Sequence, residues 1–443
     1  MNLKVAQEIV GTLQMGTPPG DCRDRLARIR PGQWESAASW LRRSGLALYF
    51  WSRIRSAQAE SAVPECIREG LDADHEENRA RLYAMAAEFQ TLLKLIEAAG
   101  IPYVVLKGFT LTPEYCPDPA LRSQYDFDFL IDAGSVSIID EVFRQAGFIQ
   151  KPRRSSCEPL EYFHSLRRSD VPKNLDRVFS PGLHRTVEIH TSLWESDSEK
   201  IHFNLPNDSL SRAVMKTWSG ITFLSLAPEE ALILQVLHIL RHILNNQCRL
   251  SHLFELAVFL NRHSGENPIW PVFQSVVQKD ERLTEASGIV FSLASGLFQA
   301  TVPSEARVFT VDRLTRASTF WVHRYGIKSA LSNFGASKSS LHLHSLFVDS
   351  ESDWREIRQQ RLFPVQKPST VAHASSRDIS SRLAAYARQQ AHVVRRIRFH
   401  GVAALKYVWG LPEWRRASKP EVRGINSRLA GEVALAPGPT SGD

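Results

Sequence analysis

Asp126 and Asp128 stand two residues apart in the stretch YDFDFLI, residues 125–131. Side chains on a strand point alternately to its two faces. A strand here would carry both aspartates on one face and Tyr125, Phe127 and Phe129 on the other. Three aromatics suit burial, but two carboxylates this close repel each other unless a cation lies between them, and an all-oxygen donor set suits Mg2+. A third carboxylate comes from TVEIH, residues 186–190, where Val187 and Ile189 alternate with Glu188 and His190. With the apolar pair in the core, Glu188 lies on the polar face of a neighbouring strand, as a metal-holding aspartate pair requires. Upstream, the short apolar strand 103–106 ends in Lys107-Gly108, a cation followed by a residue with no side chain.

The surrounding chain must hold these residues in place. Residues 33–55 have apolar positions at helical spacing with a break near Gly45, and Val63-Pro64-Glu65 opens a new helix. A long helix follows over 74–99, closed by Gly100. Strand and helix then alternate, as in an α/β or α+β unit. Residues 111–115 form a helical turn, 125–131 the aspartate strand, and 135–146 an amphipathic helix closed by Gly147. Pro181-Gly182 fits a type II turn, so 174–180 and 184–190 read as a β-hairpin. Helices return over 231–244, 249–262, 270–278 and 286–298, with another at 354–362. The expected organisation is a helical region over 1–80, a core over 81–225 and a second helical region over 226–365. A polar linker over 366–381 and a basic, partly disordered tail over 382–443 complete it.

The net charge of +7 belongs to the tail: twelve Lys/Arg against five Asp/Glu lie between Ser375 and the C-terminus. Phosphate-rich partners are bound largely through Lys and Arg, so the tail leaves nucleic acid as a minor alternative partner; a solvated charge run is the commoner meaning. Five scattered cysteines without a CxxC pair argue for reduced thiols in the cytoplasm and against a structural zinc site. No run approaches the roughly 18 apolar residues of a membrane span. His238 and His242 have zinc-ligand spacing, but the intervening residues lack the glutamate of the HExxH motif, and packing in an apolar helix is the simpler reading. No P-loop, serine elbow or GxGxxG is present.

Four segments together resemble the uncharacterised nucleotidyltransferase family of the polymerase-β-like superfamily: IEAAGIPYVVLKG (96–108), RSQYDFDFLI (122–131), VEIH (187–190), and LAPEEALILQVLHILRH followed by the 249–255 segment. The likeness covers roughly residues 30–365. In three places the chain departs from the family pattern: Tyr125 replaces a small residue, Thr191 an aromatic, and Glu255 an aspartate. The resemblance implies an α+β fold, with a polymerase-β-like core of small mixed sheet and helices flanked by N- and C-terminal helical regions. It also implies Mg2+, as two ions, and an NTP held by Asp126, Asp128 and Glu188. Lys107, Gly108 and Arg122 would serve the phosphates; the structural alternative for Arg122 is an ion pair with Asp118 or a site aspartate. The implied reaction moves a nucleoside monophosphate to a small-molecule or protein acceptor and releases pyrophosphate. A protein of the same fold that binds nucleotide or docks a partner without turnover is the alternative, with Tyr125 its supporting feature.

Overall fold

The computed structural model describes residues 2–153, 158–164, 178–183, 185–333, 337–363 and 379–419. Four helices open the chain: α1 (Leu3–Thr12), α2 (Pro19–Ala27), α3 (Trp34–Ser44) and α4 (Ala47–Ser56). The break between α3 and α4 is Gly45, whose φ of +74° is open to glycine at little cost. The aromatics Trp34, Trp40, Tyr49, Phe50 and Trp51 are all buried, as bulk packing requires. The two helices expected on either side of residue 74 are one, α5 (Glu65–Ala98). Pro64 supplies its boundary, no proline follows inside it, and a single Gly70 does not break it. Gly100, at φ +66°, ends this run as expected.

The centre is a seven-stranded mixed sheet among the described residues. In chain order the elements are β1 (Tyr103–Val105), β2 (Asp126–Ile131), α6 (Val136–Gln145), β3 (Phe148–Gln150), β4 (Leu160–His164), β5 (Thr186–His190), the short α7 (Ser196–Glu199), β6 (Val214–Trp218) and β7 (Ile221–Ser225). The spatial order is β3-β4-β5-β2-β1-β7-β6. β2 runs parallel to β5 and antiparallel to β1, and β1 runs parallel to β7. Of the hairpin expected over 174–190, the described residues show only the second strand, β5, and no strand in 178–183. β5 is an interior strand with both edges taken, by β2 on one side and antiparallel β4 on the other. Residues 174–177 and 184 of that expected hairpin lie outside the described residues. A hairpin does exist at β6–β7, turned by Ser219 and Gly220, both at positive φ as a tight two-residue turn demands.

The strand alternation sorts the core into two layers. Phe127, Phe129 and Ile131 face α5 and α6, where they join Phe89, Leu92, Ile139 and Phe143. Each such fully buried side chain contributes about 1.5–3 kcal/mol relative to exposure. On the opposite face Val104, Leu106, Leu130 and Leu226 meet Leu234 of α8 (Pro228–Leu244). α9 (Leu250–Arg262), α10 (Ile269–Val277) and α11 (Glu281–Phe298) extend the helical layer and share one apolar core with α1–α4. The shorter helices α12 (Ser304–Phe309), α13 (Arg316–Trp321), α14 (Ile327–Leu331), α15 (Ser340–His344) and α16 (Glu351–Leu362) follow. The first part of the basic tail lies in a helix, α17 (Ile379–Ala417). Most of the expected polar linker, 366–378, and the tail beyond Lys419 lie outside the described residues. Among the described residues no helix is long and apolar enough to cross a membrane.

Candidate active site

The register of β2 against β5 assembles the carboxylates. Asp126 lies opposite Thr186, Asp128 opposite Glu188 and Leu130 opposite His190. Because the strands are parallel, alternation keeps Asp126, Asp128, Glu188 and His190 on the face covered by α8, while Phe127 and Phe129 lock the other face. The sheet is therefore clamped by apolar burial directly beneath the acidic residues. Asp128 is buried and Asp126 and Glu188 are half-buried.

One carboxylate oxygen collects two cations. Lys107 Nζ stands 2.8 Å from Asp128 Oδ1, and His190 Nε2 donates to the same oxygen at 3.1 Å. His190 Nδ1 lies 3.2 Å from Glu195 Oε1, and Glu195 in turn pairs with Arg241, whose guanidinium lies 4.6 Å from the ring centre of Trp194. Burial lowers the His190 pKa, but the bonds to Asp128 and Glu195 outweigh it and push it up to about 9. At neutral pH the ring is an imidazolium that donates from both nitrogens. Burial raises Asp128, yet Lys107 and His190 prevail and hold it well below the usual carboxylate range. Lys107 is desolvated, but the surrounding carboxylates Asp128, Asp126 and Glu188 keep it charged, above its ordinary value.

The other two carboxylates go the opposite way. Burial, then the charge of Asp128, raises Asp126. Burial, then Asp128 and Asp126, pushes Glu188 up to about 8. Lys107 and His190 therefore supply enough positive charge to ionise Asp128 but not all three acids. That deficit, on an all-oxygen donor set, is what a hard dication such as Mg2+ would meet, so the residues present fit the ion that the resemblance implies.

The connection leading into β2 is held by a buried polar stripe of α5. Asn78 Nδ2 donates to the carbonyls of Ala120 (2.7 Å) and Arg122 (3.1 Å), and Arg81 donates to the Gln124 carbonyl from Nη2 (2.7 Å) and Nε (3.1 Å). Gly108 sits at φ +69° where the chain turns away from β1, and any Cβ there would collide with the Gln124 side chain, whose Nε2 donates to the Asp126 carbonyl. Arg122 pairs with neither Asp118 nor a site aspartate. Its Nε lies 3.3 Å from Glu255, which also accepts from Tyr49 Oη at 2.9 Å, while Asp118 caps the turn at Ala120 N. Arg122 Nη1 is buried without a hydrogen-bond partner among the described residues. Tyr125 does not join the aromatic core with Phe127 and Phe129. Its ring is flanked by the guanidinium groups of Arg81 (5.0 Å) and Arg249 (4.9 Å), the cation–π alternative open to an aromatic at the end of a strand.

The structure thus brings Asp126, Asp128, Glu188 and Lys107 together, with Gly108 at their rim and Arg122 on Glu255 behind them. Sequence reasoning missed Glu195, Arg241 and Arg249. Their signals were weak: Glu195 follows His190 in a loop, and the two arginines lie on or beside a helix with no motif of their own. His190 bonds across the sheet directly to Asp128. The alternation already placed it on the face of Glu188.

Comparison with known proteins adds three findings. Residues 30–299 match the sequence model of a family described as uncharacterised nucleotidyltransferase, which is more than half of the chain. An antigenic nucleotidyltransferase-like protein from Paracoccidioides brasiliensis, solved by crystallography, is similar at 15% identity over 49% of this chain and 93% of that chain, with a TM-score of 0.27. So loose a superposition carries no argument here. No curated protein matches the chain.

Proposed function

The chain belongs to the uncharacterised nucleotidyltransferase family, and on that premise we propose that it moves a nucleoside monophosphate from an NTP to a small-molecule or protein acceptor. The acceptor oxygen would bond to the α-phosphorus, the bond from that phosphorus to the bridging oxygen would break, and pyrophosphate would leave. The observation that carries the reading is the parallel β2–β5 register, which sets Asp128 beside Glu188 on the face that also carries Asp126. These three carboxylates would hold Mg2+, which when bound supplies neutralisation of phosphate charge and a more acidic attacking hydroxyl.

The remaining roles belong to the chain itself. Lys107 and the His190–Glu195 pair fix Asp128 in one orientation and keep it ionised, so it is ready to act as a ligand at any neutral pH. Glu188 takes the acceptor's proton in this reading, from its place beside Asp128 on the face that carries Asp126. Gly108 would turn backbone amides toward the phosphate oxygens at the end of β1, with the Gln124 side chain packed against its Cα. Arg122, with its unpartnered Nη1, is the reserve cation for the triphosphate. Burial inside the sheet–α8 layer strengthens each of these charge interactions.

The test is pyrophosphate release from each of the four NTPs with Mg2+ over a panel of hydroxyl, amine and phosphate acceptors. Turnover that disappears in Asp126→Asn and Asp128→Asn supports the proposal. A second reading, a nucleotide-binding protein without turnover, is favoured by one specific contact: Lys107 already neutralises Asp128 at 2.8 Å. Tight NTP binding with no pyrophosphate over the whole panel would select it.

A further inference from the structure

Behind the carboxylates lies a second cluster of potential ligands. His238 and His242, one helical turn apart on α8, meet His252 in the first turn of α9. Their ring centres stand 4.4, 4.9 and 5.2 Å apart, and one nitrogen of each lies within 4.8 Å of the others. Nδ1 of His252 is buried with no hydrogen-bond partner among the described residues. A buried, unsatisfied imidazole nitrogen costs stability, and His252 carries one at the point where the three imidazoles converge.

We propose that His238, His242 and His252 bind a divalent transition-metal ion of the zinc type, at a site separate from the carboxylates. Imidazole suits zinc, nickel and copper, and three protein ligands leave a coordination position for water or an anionic oxygen. Metal–nitrogen bonds of about 2.0–2.1 Å place tetrahedral ligands roughly 3.3 Å apart, so nitrogens within 4.8 Å of one another need to close by at most about 1.5 Å. Three of the four cations around the cluster pair with acids, Lys107 with Asp128, Arg122 with Glu255 and Arg241 with Glu195, while the fourth, Arg249, lies over the Tyr125 ring. Burial first, then His242 for its two neighbours and the nearby cations for all three, keeps the imidazoles neutral, with His242 down at about 4, and neutral imidazole is the ligating form. The ion would cross-link α8 to the start of α9. That junction carries Arg249, which lies over Tyr125 beside Asp126. His238 also lines, with Lys107, His190 and Arg241, a cavity of about 20 Å3, the space of one water.

The test uses the full chain, stripped with a chelator and reloaded with one equivalent of Zn2+ or Co2+ in excess Mg2+. Four-coordinate Co2+ absorption and a zinc X-ray absorption spectrum with three imidazole shells are expected. Binding should survive in the Asp126→Asn/Glu188→Gln double variant and weaken about a hundredfold or more in His242→Gln and His252→Gln. An oxygen-only coordination shell in the wild type overturns the proposal even if the histidine variants fail to fold. Loss of binding in the carboxylate variant with retention in the histidine variants overturns it equally, since the ion would then sit at Asp128, Glu188 and His190.

Discussion

Glu188→Gln should make the metal-free protein more stable at alkaline pH while abolishing its activity. In the folded chain the Glu188 carboxyl titrates at about 8, against about 4.5 for an ordinary glutamate, because it is buried against Asp128 and Asp126. A carboxyl whose folded pKa is raised binds its proton more tightly in the native state. Its contribution is complete below pH 4.5, declines as the pH rises, and is exhausted above about 8. At about 1.36 kcal/mol per pH unit the full interval is worth a ceiling of about 5 kcal/mol. The side chain is 23% exposed, and after solvent relaxation about 1–3 kcal/mol is the expected share. At pH 4 the wild-type side chain is protonated in both the folded and the unfolded chain and nearly the same shape as glutamine, so the two metal-free proteins should unfold at the same urea concentration, and the variant should gain progressively from pH 4.5 upward. At pH 9 the variant should exceed the wild type by that 1–3 kcal/mol. Added Mg2+ should restore the wild type and leave the variant unchanged. A difference independent of pH, or a variant less stable at pH 9, would refute the argument that Glu188 sits in a charge-deficient site.

Three further outcomes follow from the same geometry. Lys107→Met removes the cation 2.8 Å from a buried aspartate. Breaking such a pair costs about 3–5 kcal/mol, and calorimetry should show Mg2+ binding tighter and NTP binding weaker than in the wild type; unchanged Mg2+ affinity would mean that Lys107 does not compete for Asp128. Asn78→Ala leaves the Ala120 and Arg122 carbonyls without their donor. It should lower stability by about 1–3 kcal/mol and raise hydrogen exchange across 120–125, and undisturbed exchange there would contradict the role given to α5. Gly108→Ala forces φ +69° on a residue with a Cβ and displaces the Gln124 amide. It should cost about 1–2 kcal/mol and weaken NTP binding, whereas full stability would show that the turn relaxes freely.

Much of the site could be read in the chain because period-two alternation is a strong local rule. Asp126 and Asp128 against Phe127 and Phe129, and Glu188 against Val187 and Ile189, each need only a strand to segregate. Parallel pairing of β2 with β5 is non-local, and nothing in YDFDFLI or TVEIH announces it; the Pro181-Gly182 turn pointed to a hairpin instead. β3 and β4 are short and partly polar, so their pattern is faint. β6–β7 had a usable signal, Ser-Gly between alternating residues, that went unused. The structural partners of Arg122 and Tyr125 could not be read locally, because Glu255, Arg81 and Arg249 come from helices far away in the chain or from beside one. The triad of His238, His242 and His252 was half visible as an i, i+4 pair; its third member is supplied by the packing of α9 on α8.

In the proposed reaction the bond between the α-phosphorus and the α–β bridging oxygen breaks and the nucleoside monophosphate stays on the acceptor. Parallel reactions with α-labelled and γ-labelled NTP test it directly. The account predicts that the α label becomes covalently bound to the acceptor, that the γ label leaves as pyrophosphate, and that Asp128→Asn loses both. Transfer of the γ label to the acceptor, or turnover undiminished in Asp128→Asn, would contradict it.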